Sequence, residues 1–426
     1  MTTNADWQQR KEKAIARGMG NVLPVYIARA ENAELWDVEG NRYIDFGSGI
    51  AVVNTGHGHP KIKQAVHDQI ENFSHTCVMV TPYDIAVELA EKLNEFAPGD
   101  SPKKSIFVTT GAEAVENCIK IARAHTGRSG VIAFNGGFHG RTNLAMGLTG
   151  KVAPYKTGFG PFPGEIYHAP FPIEYHGVSI EDALAGLENI FKMEIEPSRV
   201  AAMIIEPVQG EGGFYQAPPE FLQALRQICD AHGIVLIADE IQTGFGRTGK
   251  MFCTEDCGIE PDLVTSAKSL AGGYPIAAVT GKAEIMEAAV PGGLGGTYAG
   301  SPVGCAAALA VIDVLQEENL LSRADQIGEL MMGRLGQMQE SYPDRVGNIR
   351  NTGAMVAMEL VKNGDADTPD PDLAKAMVVQ AAKQGLVLLS CGVRGNVIRF
   401  LVPLTASDEL VNEGMDIVSD VLNGLV

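Results

Sequence analysis

Short apolar runs alternate with amphipathic stretches between about residues 61 and 310 of the chain. An apolar run bounded by glycine or polar residues predicts a strand buried on both faces, and apolar positions at helical spacing predict a helix that covers it. Residues 234–238 are such a strand, and residues 113–125 such a helix. Because strands and helices alternate in this way, we expect an α/β fold with a mainly parallel sheet covered by helices on both sides.

The pattern differs at the two ends of the chain. Residues 33–46 predict two strands around a turn at 39–41. Beyond residue 309 the sequence predicts one long helix, then a polar loop at 366–373 and a strand at 397–403 that Arg399 interrupts. We therefore expect three segments: 1–60 as the N-terminal part of a small domain, 61–310 as the large α/β domain, and 311–426 as a C-terminal α+β small domain.

Two predicted strands end close to a residue that can perform chemistry. Asp239 follows the run 234–238, and Lys268 follows the run 262–266 after one alanine. Open α/β sheets bind ligands at the carboxyl ends of their strands, so we expect the acid and the amine at one site. A lysine that attaches to an aldehyde and an acid that keeps a pyridine nitrogen protonated suit pyridoxal phosphate chemistry. For either residue alone, a capping or solvated role is the default interpretation.

Two other patterns suggest different chemistry and fail on their context. Residues 244–249 fit the dinucleotide pattern G-x-G-x-x-G, but they follow Asp239 in a stretch that no clean helix continues, so no nicotinamide site is expected. Cys253 and Cys257 are spaced like a pair of metal ligands. Because no second pair of cysteines or histidines follows them, no metal site is expected.

Charge and composition narrow the range of partners. The 426 residues include 33 basic and 52 acidic side chains, a net charge of −19, which disfavours nucleic acid and anionic membranes as partners. The N-terminal residues are polar and mixed in charge, and no apolar stretch has the length of a membrane span. Seven scattered cysteines are typical of reduced thiols. These features predict a cytoplasmic protein.

Six segments resemble the class III, or ω-amino acid, aminotransferases. In chain order they are TTGAEAVEN (109–117), FHGR (138–141), IEPVQGEGG (205–213), ADEIQTGFGRTG (238–249), AKS (267–269) and GGLGGTY (292–298). The likeness runs from about residue 17 to residue 405. It implies a fold-type I transferase that uses pyridoxal 5'-phosphate, with a smaller α+β domain built from both termini, assembled as a homodimer or a dimer of dimers.

The resemblance implies transamination of an ω-amino acid. The expected reaction converts 4-aminobutyrate to succinate semialdehyde, with 2-oxoglutarate as the acceptor that becomes glutamate. A 5-aminovalerate aminotransferase and an acetylornithine or ornithine aminotransferase are the alternatives. The same fold also occurs as a cofactor-sensing domain in transcription regulators, but that role needs a helix-turn-helix segment, for which we expect no room in the short N-terminal region.

The resemblance also assigns cofactor residues. Lys268 holds the cofactor covalently and moves a proton, and Asp239 pairs with the pyridine nitrogen. The phosphate binds at the helix start formed by Gly111 and Ala112, with Thr297 of the partner subunit. The ring is expected to lie between Phe138 and Ile241, with its hydroxyl at Gln242, and His139 supports this wall or has a structural role.

Substrate residues follow from the same resemblance. Arg141 is expected to hold the distal carboxylate of the substrate, and Glu206 is expected to orient Arg141. Ile50 is expected to form a wall of the substrate pocket. Arg399 is expected to hold the α-carboxylate of glutamate, and Glu211 to act as its switch. The strand pattern alone would indicate only an arginine on an edge strand. Met79 stands where similar bacterial enzymes have a polar residue, which leaves the fine substrate preference open.

Overall fold

A computed structural model describes residues 2–426. The strands are β1 Ile27–Glu31, β2 Glu34–Asp37, β3 Arg42–Asp45, β4 Lys103–Val108, β5 Gly130–Phe134, β6 Ile166–Ala169, β7 Val200–Ile205, β8 Val208–Gln209, β9 Tyr215–Gln216, β10 Val235–Asp239, β11 Leu263–Ser266, β12 Ala277–Lys282, β13 Val346–Thr352, β14 Met355–Lys362, β15 Asp365–Pro369, β16 Leu386–Val387, β17 Leu389–Cys391 and β18 Val397–Phe400. The helices are α1 Asn4–Ala14, α2 Ser48–Ala51, α3 Pro60–Asn72, α4 Asp84–Phe96, α5 Gly111–Thr126, α6 Asn143–Leu148, α7 Ile180–Met193, α8 Pro219–His232, α9 Ala283–Met286, α10 Pro302–Glu317, α11 Leu320–Ser341, α12 Pro371–Lys383 and α13 Asp408–Leu425.

A seven-stranded sheet forms the centre of the molecule, with the strand order β4-β12-β11-β10-β7-β5-β6. Strand β12 is antiparallel to both of its neighbours, and the other neighbouring pairs are parallel. Every residue of β5, β7, β10 and β11 is buried, as expected for strands that are covered on both faces. The predicted α/β fold with a mainly parallel sheet is confirmed.

Helices cover both faces of this sheet. On one face α5 packs its buried Val115, Ile119 and Ala122 in one apolar cluster with Val235 and Ile237 of β10. On the other face α7 and α8 pack with Leu236 of the same strand. Successive residues of a strand point to opposite faces, so β10 contributes to both layers. Within residues 2–426 no helix is long and apolar enough to cross a membrane, and no cluster of three or more His, Cys, Asp or Glu suits a metal ion.

The two ends of the chain share a further sheet. Strand β16, from the C-terminal region, pairs in parallel with β3, from the N-terminal region, in the order β1-β2-β3-β16. A second sheet, β13-β14-β18-β17, places β18 between two strands, so the edge-strand interpretation of Arg399 is wrong. The predicted hairpin at 33–46 is confirmed as β2 and β3. The domain boundaries at 60 and 310 stay a prediction.

Two predicted elements of the C-terminal region are wrong. The expected long helix is two helices, because Asn319 between α10 and α11 has a left-handed backbone with φ of +51°, which asparagine tolerates. The expected polar loop at 366–373 is strand β15 followed by the start of α12. The side chain of Asp370 accepts the N–H of Leu373, and Pro371 takes the first helical position, a typical helix start.

Candidate active site

A cavity of about 370 Å³ opens at the carboxyl ends of β10 and β11. Its volume lies in the range of pockets for small ligands. The predicted residues that line it are Gly111, Ala112, Phe138, His139, Glu206, Asp239, Ile241, Gln242 and Lys268. The acid and the lysine meet here because β10 and β11 are adjacent parallel strands, as the sequence predicts.

Asp239 is held in place by three neighbours. Its Oδ1 accepts hydrogen bonds from the Thr265 hydroxyl at 2.8 Å and the Ile241 N–H at 3.3 Å, and its Oδ2 lies 2.7 Å from Nδ1 of His139. Burial disfavours the charged imidazole, yet the hydrogen bond and charge of Asp239 raise the pKa of His139 above its ordinary value. The Asp239 carboxylate is therefore fixed in direction, and His139 is one of the groups that hold it.

Lys268 begins a short 3₁₀ turn two residues after β11. Its φ is +42°, an uncommon backbone conformation for a side-chain-bearing residue and one that clusters at functional sites. Burial lowers the pKa of the Lys268 amine to about 8, although the nearby charge of Glu211 opposes this shift. A substantial share of the amine is therefore neutral near physiological pH, as a nucleophile or proton carrier needs to be.

The start of α5 forms another wall of the cavity. The Thr110 side chain caps the helix, and the Thr110 N–H in turn donates a hydrogen bond to Oε2 of Glu113 at 2.8 Å. The first N–H groups of a helix have no acceptor within it, so they attract an anion such as a phosphate. A Cβ at Gly111 would lie 2.8 Å from Cδ1 of Ile241, so a larger residue there would displace the Ile241 side chain at the cavity.

Gln242 is buried at the cavity, and its Oε1 has no hydrogen-bond partner within residues 2–426. A buried polar atom normally has a partner, so a ligand hydroxyl in the cavity would satisfy it. The chemistry of the lining matches pyridoxal 5'-phosphate at four points: a helix start for the phosphate, Asp239 for the pyridine nitrogen, Lys268 for the aldehyde and Gln242 for the ring hydroxyl. The residues present therefore fit this cofactor.

Glu211 and Arg399 form a buried ion pair next to the cavity. Arg399 Nη1 donates to Glu211 Oε1 at 2.5 Å, and the Arg399 Nε is buried without an acceptor within residues 2–426. Burial disfavours the ionised form of Glu211, but the charge and hydrogen bond of Arg399, the charge of Lys268 and the hydrogen bond of Tyr155 together lower the pKa of this carboxyl below its usual value. Arg399 thus keeps an unused donor that a ligand carboxylate could take.

Three predicted residues differ from their expected surroundings. Ile50 is 42% exposed and does not line the cavity within its own chain. Thr297, which is predicted to act in the partner subunit's site, is exposed and also lies outside its own chain's cavity. Arg141 is exposed, with its Cζ 4.8 Å from the ring centre of Tyr155. Glu206 accepts the N–H groups of Phe138 at 2.7 Å and Gly210 at 3.0 Å, because its burial among backbone donors directs it there. The predicted contact between Glu206 and Arg141 is therefore not present within residues 2–426.

Sequence reasoning missed two residues of this site. Thr265 donates to Asp239, and the sequence feature that could have indicated it is the pair of hydroxyl residues, Thr265 and Ser266, that ends this strand. Tyr155 donates its hydroxyl to Glu211 Oε2 at 2.9 Å, and its ring centre is 4.8 Å from that of Phe138. In the sequence, Tyr155 is only one aromatic residue within the Gly- and Pro-rich segment 150–164. Nothing near it in the sequence indicates its partners, because they are distant along the chain.

Comparison with known proteins gives a consistent family. The model of the class-III aminotransferase family matches residues 14–422. The 5-aminovalerate aminotransferase DavT of Pseudomonas putida is 54% identical and the 4-aminobutyrate aminotransferase GabT of Escherichia coli 52% identical, each over 98% of both chains. The solved structure of a Bacillus anthracis aminotransferase superposes with a TM-score of 0.91 at 29% identity, over the whole of both chains.

Proposed function

Because the chain belongs to the class-III aminotransferases, we propose that it transfers the amino group of an ω-amino acid to 2-oxoglutarate. The family uses pyridoxal 5'-phosphate. The proposed donor is 4-aminobutyrate, which becomes succinate semialdehyde while the acceptor becomes glutamate. The observation that supports this most is the Glu211–Arg399 pair, since a pocket that accepts donors with and without an α-carboxylate needs a carboxylate site that can be neutralised.

At the cofactor end, each proposed role uses a group that already faces the cavity. The α5 start, with Gly111 and Ala112, binds the phosphate, and Gln242 binds the ring hydroxyl. Asp239 holds the proton of the pyridine nitrogen, in the direction set by Thr265 and His139. The bound cofactor supplies an electron sink for the substrate carbon that bears the amine.

Lys268 is proposed to serve as covalent anchor and then as proton carrier. Its amine takes a proton from the substrate carbon and returns it at another position, which requires a pKa near the working pH. Burial provides this by lowering the pKa to about 8. Phe138 and Ile241, which line the cavity together with Gln242, are proposed to hold the ring from its two sides.

At the substrate end, two arginines are proposed to determine which amino donors bind. Arg141 holds the distal carboxylate, and Ile50 forms part of the wall. With 4-aminobutyrate bound, Glu211 stays on Arg399 and neutralises it; with glutamate bound, the α-carboxylate takes Arg399 and Glu211 turns away. The free Nε of Arg399 supports this proposal, because it allows a two-point grip on a carboxylate.

A homodimer, or a dimer of dimers, is proposed to complete the site. Thr297 is exposed and lies outside its own chain's cavity, so it is free to reach the phosphate of a second copy. Exposed apolar side chains support an interface in this part of the chain: Met79, Val80, Val290 and Tyr298. Light scattering on dilution, with activity measured in parallel, tests this; a fully active monomer would rule it out.

A second candidate reaction uses 5-aminovalerate as the donor. It is favoured by relatives named 5-aminovalerate aminotransferase, at 54% identity, beside the relative named for 4-aminobutyrate at 52%. The two donors differ by one methylene group, which a pocket discriminates only weakly. Acetylornithine and ornithine are the remaining alternatives.

The test is a pair of absorbance spectra of the purified, cofactor-loaded protein. Addition of 4-aminobutyrate should convert the cofactor to its amine form, and 2-oxoglutarate should restore the starting spectrum. The same measurement with 5-aminovalerate, N-acetylornithine and ornithine ranks the donors, and butyrate, which has no amine, is the control. A spectrum that responds to N-acetylornithine and ornithine, but to neither 4-aminobutyrate nor 5-aminovalerate, would contradict the proposal.

A further inference from the structure

Tyr155 contacts both parts of the substrate site and belongs to none of the predicted sets. It lies in the turn 153–158, and its side chain is buried. Its hydroxyl donates to Glu211 Oε2 at 2.9 Å, its ring centre lies 4.8 Å from Cζ of Arg141, and the Phe138 ring packs against it. A single side chain therefore connects Glu211, which pairs with Arg399, to Arg141.

The hydroxyl holds one half of the Glu211 carboxylate. Oε1 of Glu211 accepts from Arg399 and Oε2 accepts from Tyr155, so both oxygens have a donor. Burial, and next the charge of Glu211, raise the pKa of Tyr155, so the phenol stays protonated and remains the donor. A carboxylate held from two sides has one favoured direction, and without the hydroxyl only the Arg399 contact would fix it.

The ring supports Arg141. Within residues 2–426 Arg141 forms no ion pair, and its guanidinium lies over the Tyr155 ring at a distance typical of a cation–π contact. The side chain of Lys151, four residues before Tyr155, reaches the same region, since its Nζ donates to Gly392 O at 2.9 Å and the Gly392 N–H donates to Glu211 O. The position of the ring therefore sets the direction of Arg141 relative to Glu211.

We propose that Tyr155 is a positioning residue that determines donor specificity: its hydroxyl holds Glu211 on Arg399, and its ring holds Arg141 toward the distal carboxylate. This rests on the proposed function, in which Arg141 and Arg399 bind the two carboxylates and Glu211 is the switch. Hydroxyl and ring then have separable effects. The hydroxyl favours donors without an α-carboxylate, whereas the ring favours every donor with a distal carboxylate.

Two substitutions separate the hydroxyl from the ring. Tyr155→Phe removes the hydroxyl alone, so the single-turnover reaction with 4-aminobutyrate should slow about tenfold, while that with glutamate stays within about twofold of the wild type. Tyr155→Leu also removes the ring, so the apparent Kd of both donors should rise by about fivefold or more. Tyr342→Phe is the matched control, because its hydroxyl donates to Asn423 at a surface position.

A double-mutant cycle shows whether the hydroxyl acts through Glu211. In the Glu211→Ser background, Tyr155→Phe should have no further effect on the 4-aminobutyrate reaction, since its acceptor is gone. Equal losses for both donors in Tyr155→Phe, or a full tenfold loss that persists beside Glu211→Ser, would overturn the proposal. If Glu211→Ser alone is donor-selective while Tyr155→Phe is not, only the role of Tyr155 fails. If Glu211→Ser is itself unselective, the proposed switch fails and the role of Tyr155 with it.

The melting temperature and cofactor spectrum of each variant distinguish positioning from folding. Both should match the wild type in Tyr155→Phe, because the ring and its packing on Phe138 are retained. A selective loss with an unchanged spectrum supports the proposal. A lowered melting temperature accompanied by equal losses for both donors assigns Tyr155 a merely structural role and overturns it.

Discussion

The cofactor end and the substrate end of the cavity are built in different ways. At the cofactor end, Asp239 stands at the end of a buried central strand and Thr265 on the next strand, and both carboxylate oxygens of Asp239 have partners. At the substrate end, Glu211 lies in the turn between β8 and β9, Arg399 on a strand of the small sheet, and Tyr155 in an irregular turn.

The two ends differ in whether their charged side chains can exchange hydrogen-bond partners. Both carboxylate oxygens of Asp239 have hydrogen-bond partners, and the strands of Asp239 and Thr265 are covered on both faces, so the carboxylate has one favoured direction. The substrate end has a charge pair whose arginine keeps an unused Nε, and its acid sits on a short hairpin turn. A fixed cofactor and an exchangeable carboxylate site are what two chemically different donors in one pocket require.

The largest expected effect comes from the cofactor end. Lys268→Ala should reduce turnover on the order of 10⁴-fold, because it removes both the covalent anchor and the proton carrier. Bound cofactor should remain, held at Asp239 and the α5 start, but with the absorbance of the free aldehyde. Lys92→Ala, at an exposed lysine, is the control. Turnover near the wild-type rate in Lys268→Ala would remove the lysine from the mechanism.

The next effect lies at the substrate end. Arg399→Ala should weaken the glutamate half-reaction by about 3 kcal/mol, roughly 100-fold, since it removes the proposed partner of the α-carboxylate. The 4-aminobutyrate half-reaction should suffer less. Arg394→Ala removes a partly exposed arginine paired with Asp367 and serves as the control. Equal losses for the two donors would mean that Arg399 is needed for folding rather than for donor choice.

A smaller effect should appear in the pH dependence of cofactor attachment. Burial lowers the pKa of Lys268 to about 8, and the charged groups that modulate it are Glu211, Arg399, Glu206 and Asp239. The amine attaches only when neutral, so attachment to the cofactor-free protein should speed up about tenfold from pH 7 to pH 9 and then level off. Stopped-flow absorbance, with a lysine peptide measured in parallel, checks this. A rate that still rises toward pH 10.5 would indicate an unperturbed lysine.

The two ends also differ in how far the sequence predicts them. Asp239 and Lys268 each follow a run that predicts a buried strand, and the carboxyl ends of parallel strands bind ligands at one edge of a sheet, so local pattern alone predicts that they share a site. Tyr155 and Glu211 are 56 positions apart and meet through irregular turns, and no local pattern encodes that meeting. The contact expected between Glu206 and Arg141 is absent within residues 2–426 for a similar reason, because the backbone donors that Glu206 accepts from are brought to it only by folding.

Both wrong predictions in the C-terminal region concern positions where the sequence contains a residue typical of the observed structure. Asp370 followed by Pro371 is a helix start in sequence, yet the surrounding acidic and proline residues favoured a loop interpretation. Asn319, which interrupts the expected long helix, lies among good helix formers that conceal the break. A helix boundary of this kind depends on the backbone conformation of a single residue, whereas a buried strand is predicted from several consecutive apolar residues.

The exchangeable Glu211–Arg399 pair is tested most directly by single-turnover rates of Glu211→Ser with each donor. Without Glu211, Arg399 faces 4-aminobutyrate as an unpaired buried charge, while glutamate still supplies its own carboxylate. The 4-aminobutyrate reaction should therefore lose about 2 kcal/mol or more of transition-state stabilisation relative to the glutamate reaction, roughly a 30-fold change in their ratio. An equal change with both donors would contradict the switch and leave Glu211 as an ordinary loop carboxylate.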